Sequence, residues 1–275
     1  MYIAVDKVFY KEEEAVFRIK PWEIQQQCGV ICEELRTNAT KPLMLTEHYN
    51  LLISKAKLLE FNIPNFFSES FMSSQIEGVM VRNKLYQAAK AKVTLLRSWV
   101  TNETVIIVNS EYVGAGAYEQ NAKGLMVDIF KGACMSESKQ FLLNQYCQVA
   151  PLLARREAAE RNLNNMLLIT EEGYIASAID APVFAVRANR IITPPLGQVI
   201  RHDVLREKVI QLSRMLGYQV DDEAFLEKED ILACDELFIC DSVRGLEWIM
   251  GLGTRRFLHK VSKKLLETLN AEFFE

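Results

Sequence analysis

Residue types that commonly perform chemistry are present in this chain, but they do not cluster into a familiar site. Six cysteines and three histidines are spread over 275 residues. Cys28 and Cys32 have i,i+4 spacing, yet no Cys or His cluster follows to complete a metal site. His48 has neither a nucleophile nor a metal partner near it in sequence, so we expect a surface or helix-packing histidine. The pattern predicts no metal centre and no catalytic triad.

The composition indicates a globular chain that buries one large core or two moderate ones. Hydrophobic residues make up 49% of it, charged residues 25%, and the net charge is −4. The Lys and Arg residues are dispersed, which argues against nucleic-acid binding. The N-terminus, MYIAVDKVFYKEEEAVFR, is acidic where a signal peptide is basic, and no apolar run is long enough to span a bilayer. We therefore expect a cytoplasmic protein with reduced cysteines and no membrane contact.

Helical and extended patterns alternate along the first part of the chain. Apolar residues at helical spacing predict helices over 43–60 and 68–80. The runs AKVTLLRSWV, ETVIIVNSEYV and GLMVDIFKGA read as strands. Residues 1–115 are therefore predicted to form a small α+β domain.

The loop GAGAYEQNAKG at 114–124 is rich in turn residues and suggests a boundary, with 116–124 as the linker. The second domain, 125–275, is predicted to be an α/β domain with a mixed sheet that can curl into a barrel. Its predicted strands are 125–130, 165–170, 174–178, 183–187, 191–193, 218–220 and 235–240, and its predicted helices are 147–161, 203–216 and 229–233.

One order of motifs runs through this second domain. An apolar strand leads into the turn of EEGYIASAIDAPVFAV, then TPPL, an Arg-containing helix ending in LGYQV, DELF, and an Asp-Ser-Val turn. This order resembles the class IV aminotransferases, fold-type IV pyridoxal-phosphate enzymes that include branched-chain and D-amino-acid aminotransferases and aminodeoxychorismate lyase. The likeness is best over 150–275 and weaker over 29–60, where GVICEELRTNATKPLMLTEHYNLL resembles the family's FETxR and HxxRL region. The resemblance implies a two-domain fold.

The resemblance also implies a lysine that binds the cofactor covalently. The family lysine falls on Asn144, within FLLNQY. An amide cannot form an imine, so covalent catalysis fails at this position. The nearest lysine is Lys139, five residues earlier, and a local insertion would make it the equivalent residue.

The family's acid, which keeps the pyridine nitrogen protonated, falls on Ser177. A serine hydroxyl can exchange one hydrogen bond but cannot stabilise a pyridinium. Pro182 stands at the position of the family's Asn. The hairpin is therefore expected to remain as scaffold while its chemical residues have changed.

Three elements that hold the cofactor's phosphate in the family are altered. In the HxxRL motif Leu51 takes the place of the arginine and offers no charge. In the GITR motif at a helix start, the glycine has become an aspartate that would repel a phosphate. The four residues there are Asp203, Val204, Leu205 and Arg206.

Arg206 is the residue of that motif that is kept, although a solvated helix arginine would look the same in sequence. The third element, a GT turn, reads Asp241-Ser242, which keeps a hydroxyl and adds a negative charge. The vestigial cofactor-binding candidates are therefore Arg206, Val204, Leu205, Ser242 and Leu51.

The sequence therefore favours a non-catalytic class IV aminotransferase-like protein with no cofactor. An active pyridoxal-phosphate aminotransferase or aminodeoxychorismate-lyase-like enzyme that uses Lys139 is the alternative. A third possibility, a different enzyme in the old cleft, has no triad, metal cluster or phosphate loop to support it. A two-fold homodimer is expected, with apolar segments such as LEWIMGLG as interface or core. A small-molecule ligand between the domains is a further expectation.

Overall fold

The computed structural model describes residues 1–16, 28–98, 100–114, 116–132, 149–196 and 203–274. These residues form two compact units, Met1–Ala117 and Tyr118–Phe273, called here the N-terminal unit and the C-terminal unit. Each unit combines helices with one sheet, and the predicted α/β fold class is confirmed.

The N-terminal unit is an antiparallel six-stranded sheet with two helices packed on it. The strand order is β2-β1-β6-β5-β3-β4. Its core is formed where apolar residues of α2 and α3, such as Leu52 and Ile76, meet inward-facing residues of the sheet, such as Val93. Helix α3 begins where Ser68 Oγ accepts the N–H of Phe71 at 3.2 Å. The elements are β1 Tyr2–Val5, β2 Val8–Lys11, α1 Glu12–Val16, β3 Cys28–Asn38, β4 Lys41–Pro42, α2 Leu45–Leu58, α3 Glu69–Arg82, β5 Ala88–Ser98 and β6 Thr104–Gly114.

The C-terminal unit is built on a mixed nine-stranded sheet. The order is β12-β11-β10-β13-β14-β7-β8-β9, with β15 paired to β14. Pairs β7–β8, β7–β14 and β11–β12 are parallel. The elements are β7 Leu125–Ile129, α4 Val149–Glu160, β8 Asn165–Ile169, β9 Ile175–Ala178, β10 Val183–Arg187, β11 Arg190–Ile192, α5 Val204–Met215, β12 Gln219–Asp221, α6 Lys228–Ala233, β13 Glu236–Asp241, β14 Gly245–Leu252, β15 Arg255–Arg256 and α7 Lys260–Phe274.

Strand β13 lies in the middle of this sheet, and all six of its residues are buried. It pairs antiparallel with β10 on one side and with β14 on the other. At its first residue, Glu236, the carboxylate accepts the backbone N–H groups of Lys260 and Val261 at 2.8 Å and of Ser262 at 3.2 Å. These are donors that the first turn of a helix cannot satisfy internally, so Glu236 closes the start of α7 from a neighbouring strand.

The two ends of the C-terminal unit are fastened to each other. The side chain of Asn270 on α7 accepts the N–H of Tyr118 at 3.0 Å and donates to the Tyr118 carbonyl at 2.9 Å. Tyr118 is the first residue of the unit and is buried. The segment that follows is bound as well, because Asn121 exchanges hydrogen bonds with the backbone of Trp248 on β14. Within the described ranges, no helix is long and apolar enough to cross a bilayer.

Candidate functional site: a carboxylate shared by a helix start and a turn

The first candidate residue, Asp203, is the N-cap of α5. Its backbone is extended, with φ −117° and ψ 132°, and its Oδ1 accepts the N–H of Leu205 at 2.8 Å. Aspartate is a favoured N-cap because its side chain satisfies one of the unpaired N–H groups and its charge suits the positive end of the helix dipole. Val204 and Leu205 face the interior and are buried. The start of α5 is therefore both anchored and closed by its own carboxylate.

A second element reaches the same carboxylate. Ser242 follows β13, is fully buried, and donates its hydroxyl to Asp203 Oδ1 at 2.7 Å. The Ser242 N–H donates to Asp203 Oδ2 at 3.2 Å, and the Leu205 N–H lies 3.3 Å from Ser242 Oγ. The helix-start motif at 203–206 and the Asp241-Ser242 turn thus meet around one anionic group, and that group is the Asp203 side chain.

The turn that carries Ser242 is held by contacts of its own. Asp241 Oδ1 accepts the N–H groups of Val243 and Arg244, both at 2.9 Å. The hydroxyl of Tyr118 donates to the Ser242 carbonyl at 2.9 Å. Gly245 has φ +83°, and a Cβ there would lie 2.7 Å from the Tyr118 ring, so both the conformation and the close approach require glycine. The Ser242 turn is therefore also held by contacts that do not involve Asp203.

Arg206 is not the solvated helix residue that the sequence allowed. It is buried, and one of its Nη atoms donates to the Pro194 carbonyl at 2.8 Å and to the Asp222 carbonyl at 3.3 Å. The other pairs with Glu207 at 2.7 Å. The guanidinium therefore ties α5 to the TPPL segment and to the loop after β12.

The thiol of Cys240 lies next to these acids at the end of β13. Burial raises its pKa well above the ordinary value, and the negative charges of Asp203 and Asp241 raise it further. The thiol is therefore protonated and enclosed, which suits a packed residue and not a nucleophile. Cys32, Cys234 and Cys240 are buried, and none of the three forms a disulfide.

The two strands expected around Ser177 and Pro182 are present as β9 and β10, but they do not pair with each other as a hairpin, because β9 pairs with β8 and β10 pairs with β11 and β13. Strands β8 and β9 pair antiparallel, and Gly173 takes φ +91° in the turn between them. Ser177 lies opposite Leu168 and is buried. Pro182 is also buried, and its carbonyl accepts the N–H of Cys240 at 3.2 Å. Both residues contribute backbone contacts to the sheet, and neither side chain supplies a carboxylate or an amide.

The remaining sequence candidates lie elsewhere. Leu51 is half-buried on α2 of the N-terminal unit. Asn144 and Lys139 fall outside the described residues. Among the residues that the structure describes, no group of three His, Cys, Asp or Glu side chains could hold a metal ion.

His48 belongs to a buried ionic cluster that sequence reasoning missed. It lies at 1% exposure on α2, and its Nδ1 is 3.0 Å from Glu33 Oε2 on β3. The other Glu33 oxygen pairs with Lys55, whose Nζ also lies 3.5 Å from the Cys32 carbonyl. The surface position that we considered for His48 is wrong, and the packed alternative holds. The sequence feature that could have indicated this cluster is Lys55, a lysine on the apolar face of α2.

Burial alone would raise the pKa of Glu33, but Lys55 and His48 outweigh it and hold the pKa below its ordinary value. The carboxylate is thus ionised at neutral pH, and the cluster is a compensated set of buried charges.

Comparison with known proteins places this chain among related sequences. The profile of the family described as amino-transferase class IV matches residues 31–247. A putative branched-chain-amino-acid aminotransferase of Methanocaldococcus jannaschii is 27% identical over 284 residues, which cover 97% of this chain and 94% of the relative.

Solved structures agree with this fold. The branched-chain amino acid aminotransferase of Escherichia coli superposes with a TM-score of 0.85 at 18% identity, covering 99% of this chain and 94% of that one. A hypothetical aminotransferase from Mycobacterium tuberculosis, in a form with alpha-ketoglutarate and PMP bound, gives a TM-score of 0.84 at 13% identity, covering 100% and 99%. At these identities the likeness shows the fold.

Proposed function

Because the chain belongs to the class IV aminotransferase family, whose members use pyridoxal phosphate, we propose that it is a non-catalytic homologue that does not hold this cofactor in the family manner. The observation that carries the proposal is the position of the Asp203 carboxylate. It accepts hydrogen bonds from Leu205 and Ser242, the residues at which the resemblance places the phosphate.

The residues present do not fit a phosphate dianion. A phosphate at this helix start needs the N–H of Leu205 and the hydroxyl of Ser242, and both already bind Asp203. Two unit charges about 4 Å apart at an effective dielectric constant of 20 repel by about 4 kcal/mol. The phosphate would therefore lose its donors and also meet a like charge.

The cofactor ring would meet a second misfit. Its pyridinium form needs an anionic partner, and the side chain at the acid position is the buried Ser177. In the N-terminal unit, Leu51 supplies no cation at the arginine position. The residues at the phosphate positions make structural contacts instead. Arg206 bonds to the TPPL segment, and the hydrogen bond between Asp203 and Ser242 joins the start of α5 to the end of β13.

We also propose a homodimer, but the structure leaves little of the apolar segment LEWIMGLG for its interface. All but the last residue of the segment LEWIMGLG lie within β14, which pairs with β13, β7 and β15 of its own sheet. Its apolar residues are therefore largely used inside the C-terminal unit. Most of a dimer surface must therefore lie on other segments.

The test is whether the full chain forms an adduct with pyridoxal phosphate. We expect purified protein to be colourless, and borohydride reduction after incubation with the cofactor to leave no stoichiometric adduct in peptide mass spectra. Pyridoxal without its phosphate controls for non-specific imines on exposed lysines. A stoichiometric adduct at Lys139, absent from a Lys139→Ala variant, would overturn the proposal and favour the active alternative.

A further inference from the structure

We infer that Asp203 is a resident anion: it fills an oxyanion-binding arrangement formed by three donors of α5 and of the turn after β13, and removing the side chain opens that arrangement to inorganic phosphate. The inference rests on the proposed function, since it explains how the site is closed. At the start of α5 and at the Ser242 turn, the site is closed because its donors are occupied and not because they are lost.

Donors from two elements converge on this one carboxylate. The Leu205 N–H comes from α5, whereas the Ser242 N–H and hydroxyl come from the turn after β13. An ordinary N-cap needs only the donors of its own helix. The fully buried Ser242 side chain adds a donor aimed at the same point from 39 residues away. Three donors around one point form the kind of concavity that binds oxyanions.

This arrangement does not depend on Asp203 for its shape. Tyr118 and Asp241 hold the Ser242 turn through separate hydrogen bonds. Buried Val204 and Leu205 hold the first turn of α5 against the core. When the carboxylate is removed, we expect the donors to stay in place, and the positive end of the α5 dipole then points into the emptied space.

Affinity for phosphate in such a variant should be modest. Asp241 stays close to the site, and its charge opposes a dianion. The Asp241 oxygen Oδ1 is already occupied by Val243 and Arg244, so it does not compete for the Ser242 donors. We therefore expect binding in the millimolar range and not the tight binding of a complete cofactor site.

The experiment measures the thermal midpoint of the full chain against inorganic phosphate at constant ionic strength. Asp203→Gly leaves the space empty, Asp203→Ser keeps a neutral N-cap with room beside it, and Asp203→Asn keeps the space filled. At a phosphate concentration about ten times its dissociation constant, the Gly and Ser variants should gain about 3 °C beyond the wild type. Wild type and Asp203→Asn report the general salting-in or salting-out effect of phosphate.

Two further variants separate a specific site from a generic one. Ser242→Ala combined with Asp203→Gly should reduce the phosphate response well below that of Asp203→Gly alone, because the hydroxyl is one of the three donors and only the two backbone N–H groups remain. Glu236→Gly exposes the start of α7, another helix start with a buried carboxylate in the same unit. An equal phosphate response of Glu236→Gly would overturn the inference, since any uncapped helix would then suffice.

Failure of the inference and failure of the proposed function give different results. No phosphate response in either Asp203→Gly or Asp203→Ser, with a wild type that forms no pyridoxal-phosphate adduct, overturns the inference alone. A wild type that forms the adduct overturns the proposed function, whatever the variants do.

Discussion

Two long helices of the C-terminal unit, α5 and α7, both begin at a buried carboxylate, but the carboxylates reach them differently. Asp203 directly precedes α5, whereas Glu236 lies on β13, 24 residues before the start of α7. The same strand serves both helices. Its first residue, Glu236, accepts from α7, and Ser242, just beyond its last residue, donates to the cap of α5.

This difference shows that burial and capping geometry do not by themselves identify a vestigial ligand site. Glu236 is bound by successive N–H groups of one helix turn, which is a complete structural explanation. Asp203 is bound by donors of its own helix and of a second, independently fixed turn. The second set of donors is what distinguishes a filled site from a capped helix.

If burial of a carboxylate alone set the cost of its removal, Glu33 in the N-terminal unit should behave like the two caps. Its partner Lys55 is formally charged, so Glu33→Gln leaves Lys55 buried without its anion and should cost about 3–5 kcal/mol of unfolding free energy at pH 7. Urea unfolding of the full chain measures this. The control is Glu34→Gln, which disturbs a half-exposed pair with Lys92 and should cost under about 1 kcal/mol.

The Glu33 effect should also depend on pH. Its folded pKa lies below the ordinary value of 4.5, so its stabilisation is complete above that pH and is lost as the pH falls through the folded pKa. The gap between wild type and Glu33→Gln should therefore be constant from pH 7 to 5 and shrink below about 4.5. A gap that widens in acid would contradict the assignment.

Removing the strand-supplied cap should have the next largest effect. Glu236→Ala leaves the N–H groups of Lys260, Val261 and Ser262 without their acceptor, and should cost about 2–3 kcal/mol. Exposed Glu267 on the same helix is the matched control, with an expected change within about 0.5 kcal/mol for Glu267→Ala. Equal losses in the two variants would mean that α7 does not depend on β13 for its start.

The smallest effect is the coupling between Asp203 and Ser242. A double-mutant cycle with Asp203→Ala and Ser242→Ala should give a coupling of about 1 kcal/mol, because each removes the other's buried partner. Glu236→Ala and Ser242→Ala should be additive within about 0.5 kcal/mol, since six residues of strand separate them by about 20 Å. Additivity in the Asp203 and Ser242 cycle would show that the hydrogen bond between these two side chains does not form in solution.

Local patterns predicted part of the fold well. The helices expected at 43–60 and 68–80 are found at Leu45–Leu58 and Glu69–Arg82, since apolar spacing and the Ser68 cap are local signals. The strand β3 was not predicted, because buried Glu33 and Arg36 interrupt its apolar pattern. Their partners, Lys55 and the carbonyls of 116–117, are distant in sequence.

Other elements of the structure are missing from the sequence prediction. Helix α7 shows apolar residues at helical spacing over 261–269, yet no helix was predicted there. Strands β1, β2 and β14 were also not predicted.

At the site, sequence motifs selected Asp203 and Ser242 separately. Sequence reasoning expected Asp203 to repel a phosphate. It could not show that the two residues bind each other, because a contact between residues 39 positions apart is set by the strand order of the sheet. The burial of Arg206 was missed for the same reason, since its acceptors lie on two separate loops.

The paired hydrogen bonds between Asn270 and Tyr118 have a topological consequence for the C-terminal unit. They bring the entry and the exit of the unit to within one side chain of each other. A short peptide could therefore join the two ends, and the exposed turn at 171–173 could be opened instead, without moving any strand of the sheet. The unit is in this sense nearly circular, and the point at which its chain begins is incidental to its contacts.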